Sequence, residues 1–161
     1  MRVVIGIGAN LGDRLATMHE AVRRVARVDG VTVSRRSRVY ETTPVGGPPQ
    51  PPFLNAAILV QSTLAPAALL AALLRVEVEL GRVRGVGEVR FGPRTVDLDV
   101  LWIDGLVVDE PGLAVPHPRM HIRAFALVPL LDVAPGAVDP RTGALLVGSV
   151  DEGVRVTDLV L

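Results

Sequence analysis

The sequence predicts an α+β protein with a ferredoxin-like βαββαβ core, in which a mainly antiparallel sheet is flanked by helices. Three observations predict it. Four segments have the apolar pattern of strands, two segments between them have helical spacing, and they follow the order strand, helix, strand, strand, helix, strand. The 161 residues, 49% of them hydrophobic, suffice for one domain with a proper core. We therefore expect residues 1–161 to form a single domain with its helices on one face of the sheet.

The first half of the predicted core contains two strands and a helix. Residues 2–8 have the nearly continuous apolar character of a buried strand. Asp13 can cap a helix whose apolar residues recur at helical spacing, and residues 31–41 have the pattern of a second strand with polar interruptions. Five prolines and two glycines in residues 42–52 exclude regular structure, so this segment is predicted to be an irregular loop.

The second half completes the pattern. Residues 53–63 are predicted to be the third strand, and a helix beginning at a proline should cover residues 66–80. Residues 95–103 are predicted to be the fourth strand, continued through an Asp-Gly turn as a hairpin into residues 106–108. A third helix is expected over residues 119–132. The remainder of the chain predicts only a short helix or strand.

Composition excludes several classes of protein. The formal net charge is zero and the pI is about 6.8, which argues against general binding to nucleic acids or anionic membranes. The chain has no cysteine, so it has neither disulfides nor thiolate sites. All 17 basic residues are arginine, which excludes a Walker A loop and a lysine Schiff base. No segment reads as a signal peptide or a spanning helix, so we expect a cytoplasmic monomer that acts on small molecules.

The segment RTVDLDV, residues 94–100, places two aspartates in a strand pattern. Asp97 and Asp99 share one face, with Cα atoms about 7 Å apart, so their carboxylates repel each other. A D-x-D pattern alone is most simply structural, but the adjoining loop contains Arg82, Arg84, Arg90 and Arg94. Mg²⁺ takes carboxylate and phosphate oxygens, and arginine binds phosphate bidentately. The combination indicates a metal–polyphosphate site, with a solvated surface turn as the alternative for the arginine loop.

Two further patterns have simpler interpretations. The glycines of GIGANLG, residues 6–12, form G-x-G-x-x-x-G, which is one residue too long for a dinucleotide-binding turn. We reject that interpretation and expect these glycines to form a tight turn between strand and helix. Trp102 stands at even spacing from Leu98 and Val100, so we expect it on their face of the strand, in the core.

The aromatic residues are few and are placed close to the suspected loops. Phe53, Phe91 and Phe125 are the only phenylalanines, and each lies beside a loop or motif already singled out. A site that stacks a planar heterocycle would collect them, and core packing is the alternative. His117 and Arg123 are candidates to hold phosphate, although a single histidine beside a proline is most simply a surface residue.

Four groups of motifs occur in order along the chain: GANLGD, YETTPVG with FLNAA, GRVR followed by FGPRTVDLDV, and VPHPRMHIRAF. Together they resemble the 6-hydroxymethyl-7,8-dihydropterin pyrophosphokinases of folate biosynthesis. The resemblance extends from about Val3 to Pro135, and GPRTVDLD is its most specific part. It implies the transfer of a whole diphosphate group from ATP, as co-substrate, to the hydroxymethyl group of the pterin, with release of AMP.

The resemblance also implies residue roles. Asp97 and Asp99 would hold two Mg²⁺ ions and would be catalytic together with Arg82, Arg84 and Arg94. The contacts to ATP would come from Glu77, Arg82, Arg84, Arg94, His117 and Arg123. The pterin pocket would consist of Thr42, Thr43, Pro44, Val45, Gly46, Phe53, Asn55, Phe91 and Phe125, with Asn55 at the ring edge and Phe53 and Phe125 on either side of the ring. Leu74 and Gly112 replace polar or charged residues that touch the nucleotide in some members.

Two other functions are compatible with a ferredoxin-like fold. An RNA-binding module would need exposed aromatic residues on its central strands and a basic face, and the sequence predicts neither. A different metal-dependent nucleotidyl transferase would share the aspartates and arginines. It would have no use for Asn55 between two stacking rings, so the pterin pocket distinguishes the two enzymes.

Overall fold

The structure is a computed structural model that describes residues 1–44, 47–83, 92–148 and 153–161. Its helices are α1 (Arg14–Val25), α2 (Pro66–Glu79) and α3 (Ala124–Val133), preceded by a 3₁₀ turn at Met120–Ile122. Its strands are β1 (Arg2–Ala9), β2 (Val31–Arg36), β3 (Arg38–Thr42), β4 (Phe53–Ser62), β5 (Asp97–Ile103), β6 (Val108–Glu110), β7 (Leu113–Val115) and β8 (Val154–Val160). None of the helices in the described segments combines the length and apolar character needed to cross a membrane.

The main sheet has the strand order β5-β1-β4-β3-β8, and β2 also pairs with β4. All of these pairings are antiparallel, which confirms the predicted ferredoxin-like core. The predicted second strand is divided at Ser37 into β2 and β3. The predicted hairpin from β5 into residues 106–108 is wrong, because β6 pairs with β7 in a separate two-stranded sheet.

The helices α1 and α2 cover one side of the main sheet, which we call the closed face. Side chains from β1, β4 and β5, among them Ile5, Ile58 and Leu98, pack there against Met18 of α1 and Leu73 of α2. All five are at most 1% exposed. This face is therefore a continuous apolar core, and it supplies most of the apolar burial that stabilises the domain.

The opposite side of the sheet, which we call the open face, is covered only in part. Helix α3 packs there through Leu127 and Leu130 against Val4, Ala57 and Trp102. The prediction that the helices share one face holds for α1 and α2 and is wrong for α3. The reason is that α1 and α2 occupy only the closed face, and the apolar residues on the other side of the sheet also need a cover.

A bulge in β5 changes which side chains reach the open face. The register pairs Ile5 with Val100 but Val4 with Trp102, so Leu101 is an extra residue in β5. Beyond this point the alternation is reversed, and both Leu101 and Trp102 join the cluster under α3. Trp102 is buried as predicted, but on the face opposite to that of Val100.

The tail of the chain contributes an edge strand to the sheet. Strand β8 pairs with β3, and the hydroxyl of Thr157 donates a 2.9 Å hydrogen bond to the carbonyl of Val39. The final residue, Leu161, is 4% exposed and packs within the closed-face core. The tail thus packs onto the sheet, and its beginning reaches the cavity described next.

Candidate functional site

The part of the open face that α3 leaves uncovered is a cavity of about 490 Å³. Its floor is formed by three neighbouring strands in register. On β1, Gly8 lies between Asp97 of β5 and Asn55 of β4, and Gly6 lies beside Asp99 of β5. The two aspartates and the asparagine therefore stand on either side of a glycine-lined strip, about 10 Å apart across two strand spacings.

The two glycines on β1 leave the floor of the cavity free of side chains. A Cβ atom at Gly8 would lie 3.0 Å from the Oδ1 atom of Asn55, and one at Gly6 would lie 3.0 Å from Cδ1 of Leu101. Both residues are inside the strand, so the expectation that they form a tight turn is wrong for them. Only Gly12 of this motif has the positive φ of such a turn, at 61°.

Asp97 is held by two arginines at the β5 edge of the cavity. Its Oδ2 atom accepts a 2.7 Å hydrogen bond from Nη1 of Arg94, and its Oδ1 atom accepts one from Nη1 of Arg82. The side chain of Asp97 is 22% exposed and that of Arg82 only 6%. Asp97 is therefore a charge-paired carboxylate that still presents part of its surface to the cavity.

Asp99 lines the same cavity under different electrostatics. Burial, followed by the neighbouring Asp97 and Glu77 carboxylates, raises the pKa of Asp99 to about 7. Arg82 and Arg94 oppose this shift but do not cancel it. A cation bound beside Asp99 would offset the free-energy cost of ionising this buried carboxyl. The carboxylate oxygens of Asp97 and Asp99 therefore fit a hard metal ion.

Glu77 and Arg82 lie behind the cavity wall. Glu77 of α2 is completely buried, and its Oε1 atom accepts hydrogen bonds from the backbone N–H of Leu98, at 2.6 Å, and from Arg82, at 3.4 Å. Arg82 also donates a 3.0 Å hydrogen bond to the carbonyl of Val96. In this structure the two side chains support the start of β5, and neither is among the residues that line the cavity.

The segment before α3 supplies two further cations to the cavity. Arg119 and Arg123 line the cavity, whereas His117 is not among its lining residues. The His117 Nδ1 atom accepts a 3.2 Å hydrogen bond from the backbone N–H of Arg119, so the neutral ring carries its hydrogen on Nε2. Burial and the charges of Arg123 and Arg119 lower the pKa of His117. The imidazole is therefore a neutral donor near pH 7, not a cation.

At the β4 edge the cavity combines an amide with a hydroxyl. The Nδ2 atom of Asn55 donates a 2.6 Å hydrogen bond to Oγ1 of Thr42, and both residues are less than 10% exposed. Antiparallel pairing of β3 with β4 brings them together, since Thr42 is in register with Phe53 and Tyr40 with Asn55. This edge is a fixed polar patch that suits hydrogen bonding to the polar edge of a flat heterocycle.

Two aromatic rings line the cavity near this patch, and each is paired with an arginine. The guanidinium carbon of Arg94 lies 5.9 Å from the centre of the Phe53 ring, and that of Arg123 lies 5.4 Å from the centre of Phe125. Both distances suit cation–π contact. The same two arginines thus link the ring-lined part of the cavity to the charged part.

Of the residues predicted for the site, ten line the cavity: Thr42, Thr43, Pro44, Phe53, Asn55, Arg94, Asp97, Asp99, Arg123 and Phe125. Three described residues do not line it: Glu77, Arg82 and His117. Four predicted residues, Val45, Gly46, Arg84 and Phe91, lie outside the described residues. The structure therefore brings most of the predicted set to one place.

Several residues that line the cavity were missed by the sequence prediction. Arg119 stands in the same motif as His117, so a search for cations there could have found it. Gln50 lies in the proline-rich loop and gives no signal of its own. Gly153 and Val154 reach the cavity only because β8 pairs with β3, a contact between residues more than 110 positions apart that no local pattern indicates.

The acidic residues of the cavity do not form a closed metal cage. Among the described residues there is no group of three or more histidines, aspartates or glutamates that could hold a metal ion. Asp97 and Asp99 supply carboxylate oxygens from one side only. An ion bound there would need oxygens from a ligand or from water, which is the usual coordination of Mg²⁺ beside a polyphosphate.

Comparison with known proteins identifies relatives over most of the chain. Residues 4–135 match the family model of 7,8-dihydro-6-hydroxymethylpterin-pyrophosphokinase (HPPK). A 2-amino-4-hydroxy-6-hydroxymethyldihydropteridine pyrophosphokinase of Bacillus subtilis is 41% identical over 152 residues, which cover 94% of this chain and 87% of the relative. The enzyme of the same name from Methylorubrum extorquens is 43% identical over 137 residues, covering 85% of each chain.

Solved structures share the fold at much lower sequence identity. The wild-type HPPK-DHPS of Plasmodium falciparum, solved with pterin and p-hydroxybenzoate, superimposes with a TM-score of 0.67 at 13% identity. The match covers 90% of this chain but only 40% of that one, so this chain spans about two fifths of the length of that protein. At this identity the likeness establishes the fold alone.

Proposed function

We infer, because the chain belongs to the 7,8-dihydro-6-hydroxymethylpterin-pyrophosphokinase family, that it transfers a diphosphate group from ATP to 6-hydroxymethyl-7,8-dihydropterin in folate biosynthesis. The products are the pterin diphosphate and AMP. The observation that supports the open-face cavity as the place of reaction is its division into two ends. Asp97 and Asp99 stand at one end, and Asn55 with Thr42 stands at the other, across a strip of glycines.

At the charged end we propose that Asp97 and Asp99 hold two Mg²⁺ ions, as the family resemblance implies. The raised pKa of Asp99 supports this, because a carboxylate that is costly to ionise alone is one that a cation would stabilise. When bound, Mg²⁺ neutralises phosphate oxygens and polarises the attacked phosphorus. Arg94 keeps the Asp97 carboxylate oriented toward the cavity through its 2.7 Å hydrogen bond.

The two arginines that precede α3 would bind the phosphate groups. Arg119 and Arg123 line the cavity, and the neutral His117 can donate a hydrogen bond from Nε2. Phosphoryl-type transfer needs positioning and charge neutralisation more than covalent help. Arg82 stays a candidate for the same task, although its guanidinium is bound to Asp97 and Glu77 in this structure. The assignment of Glu77 as an ATP contact also stays a prediction.

At the other end the pterin ring would lie between Phe53 and Phe125, with Asn55 and Thr42 at its rim. Stacking between two rings and hydrogen bonding at one edge hold a flat bicyclic ligand in a single orientation. Its hydroxymethyl group would extend over Gly8 and Gly6 toward the aspartates. Its oxygen bonds to the β-phosphorus while the bond from that phosphorus to the α-phosphate oxygen breaks, and the hydroxyl proton leaves to solvent.

The broader predictions from composition stand as part of the same proposal. A neutral net charge suits an enzyme that acts on small molecules, without nucleic acid or membrane as a partner. We propose that residues 1–161 act as one domain and as a cytoplasmic monomer. Sedimentation of the purified chain at micromolar concentration tests the last point, with a dimer as the contradicting result.

The reaction is tested by its nucleotide product. The purified chain is incubated with ATP, Mg²⁺ and 6-hydroxymethyl-7,8-dihydropterin, and the nucleotides are separated by chromatography. AMP in equal amount to the pterin diphosphate is expected, with none when EDTA replaces Mg²⁺. Formation of ADP would contradict diphosphate transfer, and AMP formation in EDTA would contradict the metal assignment.

A further inference from the structure

Asn10 is a buried polar residue that the proposed reaction does not yet use. It follows β1 directly and is 1% exposed. Its Nδ2 atom donates hydrogen bonds to Oε1 of Gln50, at 2.9 Å, and to the carbonyl of Pro51, at 3.1 Å. Its Oδ1 atom accepts a 2.9 Å hydrogen bond from the backbone N–H of Arg94, and its own N–H donates one of 3.2 Å to the Arg94 carbonyl. Both amide hydrogens and the amide oxygen are therefore occupied.

The two segments that Asn10 joins belong to opposite ends of the cavity. Arg94 binds Asp97 at the charged end. Pro51 precedes Phe53 of the aromatic end by two residues, and the guanidinium of Arg94 lies over the Phe53 ring. The contacts form a closed circuit from Asn10 through Arg94 to Phe53 and back through Pro51. Movement of either segment would break a hydrogen bond to a buried amide, which costs more than losing an exposed one.

We propose that Asn10 is a positioning residue that holds the Arg94 segment and the proline-rich segment in one arrangement, so that the charged and aromatic ends of the cavity are built together. The identity of the two ligands rests on the proposed function, whereas the positioning role rests on the contacts alone. An asparagine suits the task because one short side chain accepts on one side and donates on the other. Neither alanine nor aspartate can do both.

Two substitutions separate the hydrogen bonds to the Arg94 segment from those to the proline-rich segment. Asn10→Ala removes every side-chain hydrogen bond. Asn10→Asp keeps an acceptor for the Arg94 N–H but has no hydrogen to donate, so a carboxylate would face the Pro51 carbonyl. The Pro51 carbonyl can only accept, so its hydrogen bond from residue 10 is lost. Asn10→Asp therefore selectively removes the hydrogen bond to the proline-rich segment.

The first readout is amide hydrogen exchange of the ligand-free protein, followed by mass spectrometry. Asn10→Ala should speed exchange at least fivefold in peptides covering residues 47–56 and in those covering residues 92–98. Asn10→Asp should do so only in the first set. Val22→Ala, which removes buried methyl groups from α1 on the closed face, is the control for a general loss of stability and should change neither set selectively.

The second readout is steady-state kinetics. Asn10→Asp should raise the KM for the pterin about tenfold and leave the KM for ATP within about threefold. Asn10→Ala should raise both, and Val22→Ala neither. If Asn10→Ala matches Val22→Ala in exchange, or if Asn10→Asp loosens the Arg94 segment as much as the proline-rich segment, the positioning role is overturned. Failure of the unaltered chain to release AMP would overturn the proposed function and leave the exchange comparison in force.

Discussion

The closed and open faces of the sheet are built from alternate residues of the same strands, yet their chemistry is opposite. On β1, the closed face takes the side chains of Val3, Ile5 and Ile7, whereas the open face at the cavity has Gly6 and Gly8. On β5 the closed face takes leucine and valine, and the open face has two aspartates. One side of each strand thus stabilises the fold, and the other side forms the cavity.

The open face contains residues that lower the stability of the fold. Glycine and aspartate are both poor strand residues, and the raised pKa of Asp99 means that its ionised form is unfavourable in the folded protein. The closed face offsets these costs through burial of side chains such as Ile5 and Met18. Substitutions on the two faces should therefore separate cleanly into effects on activity and effects on stability, and four predictions test that separation.

The largest effect is expected from the aspartates. Asp97→Asn and Asp99→Asn should each lower turnover by on the order of 10²–10³-fold or more, because each removes a charge that the metal and phosphates require. Their stabilities should move in opposite directions. Asp97→Asn removes the carboxylate that Arg82 and Arg94 share and should lower the melting temperature, whereas Asp99→Asn should raise it in EDTA at pH 8.

The matched control for this pair is Asp104→Asn, just beyond the other end of β5. Asp104 forms an exposed 2.8 Å ion pair with Arg2. Loss of this pair should leave turnover unchanged and should change the free energy of unfolding by no more than a few tenths of a kcal/mol. Near-normal turnover of either cavity variant would contradict the metal site. Equal shifts of the two melting temperatures would contradict the different electrostatics of Asp97 and Asp99.

The next effect compares the two sides of β1. Gly8→Ala places a Cβ atom 3.0 Å from the Asn55 amide oxygen and should raise the KM for the pterin roughly 10- to 100-fold by displacing that side chain. Ile5→Val on the opposite face should cost about 0.5–1.5 kcal/mol of stability and leave both KM values unchanged. Urea unfolding and initial rates measure the two quantities. A pterin KM that Ile5→Val raises as much as Gly8→Ala does would show that the faces are not independent.

A smaller effect concerns the ring on α3. Phe125→Ala should weaken pterin binding by about 1–3 kcal/mol, from lost stacking and burial, with little change in ATP binding. Leu127→Ala on the same helix faces the core beneath it and should lower stability without selective loss of the pterin. Titration calorimetry with each ligand distinguishes the two. Equal loss of both ligands in Phe125→Ala would mean that the ring serves only the core.

The smallest effect is a dependence of stability on pH. The folded-state pKa of Asp99 is about 7 and its usual value is 3.8, so between these pH values the unfolded chain binds fewer protons at this residue. Stability should therefore fall as pH rises from about 4 to 7, and Asp99→Asn should remove the part of that fall that this carboxyl causes. Unfolding in EDTA at several pH values measures the difference between the two proteins. Parallel curves would contradict the raised pKa.

How much of this could be predicted depends on the range of the interactions involved. The ferredoxin-like order follows from local periodicity, and it is confirmed in the antiparallel sheet. The motif around Asp97 is likewise visible because its residues are adjacent. The face of Trp102 was predicted wrongly because a single extra residue, Leu101, reverses the alternation, and a bulge is set by pairing with β1. The pairing of β8 with β3 has no local signal either, because it joins segments that are distant along the chain.

The sequence by itself determined the core elements, the family, and the placement of Asp97 and Asp99 on one side of a strand, because these depend on spacing along the chain. Only the tertiary structure decided that Asp97 is paired with two arginines while Asp99 is left with a raised pKa. It also placed α3 on the open face and made Asn10 the link between two loops. Charge pairing, burial and hydrogen bonding depend on which distant segments meet, and spacing along a chain carries no record of that.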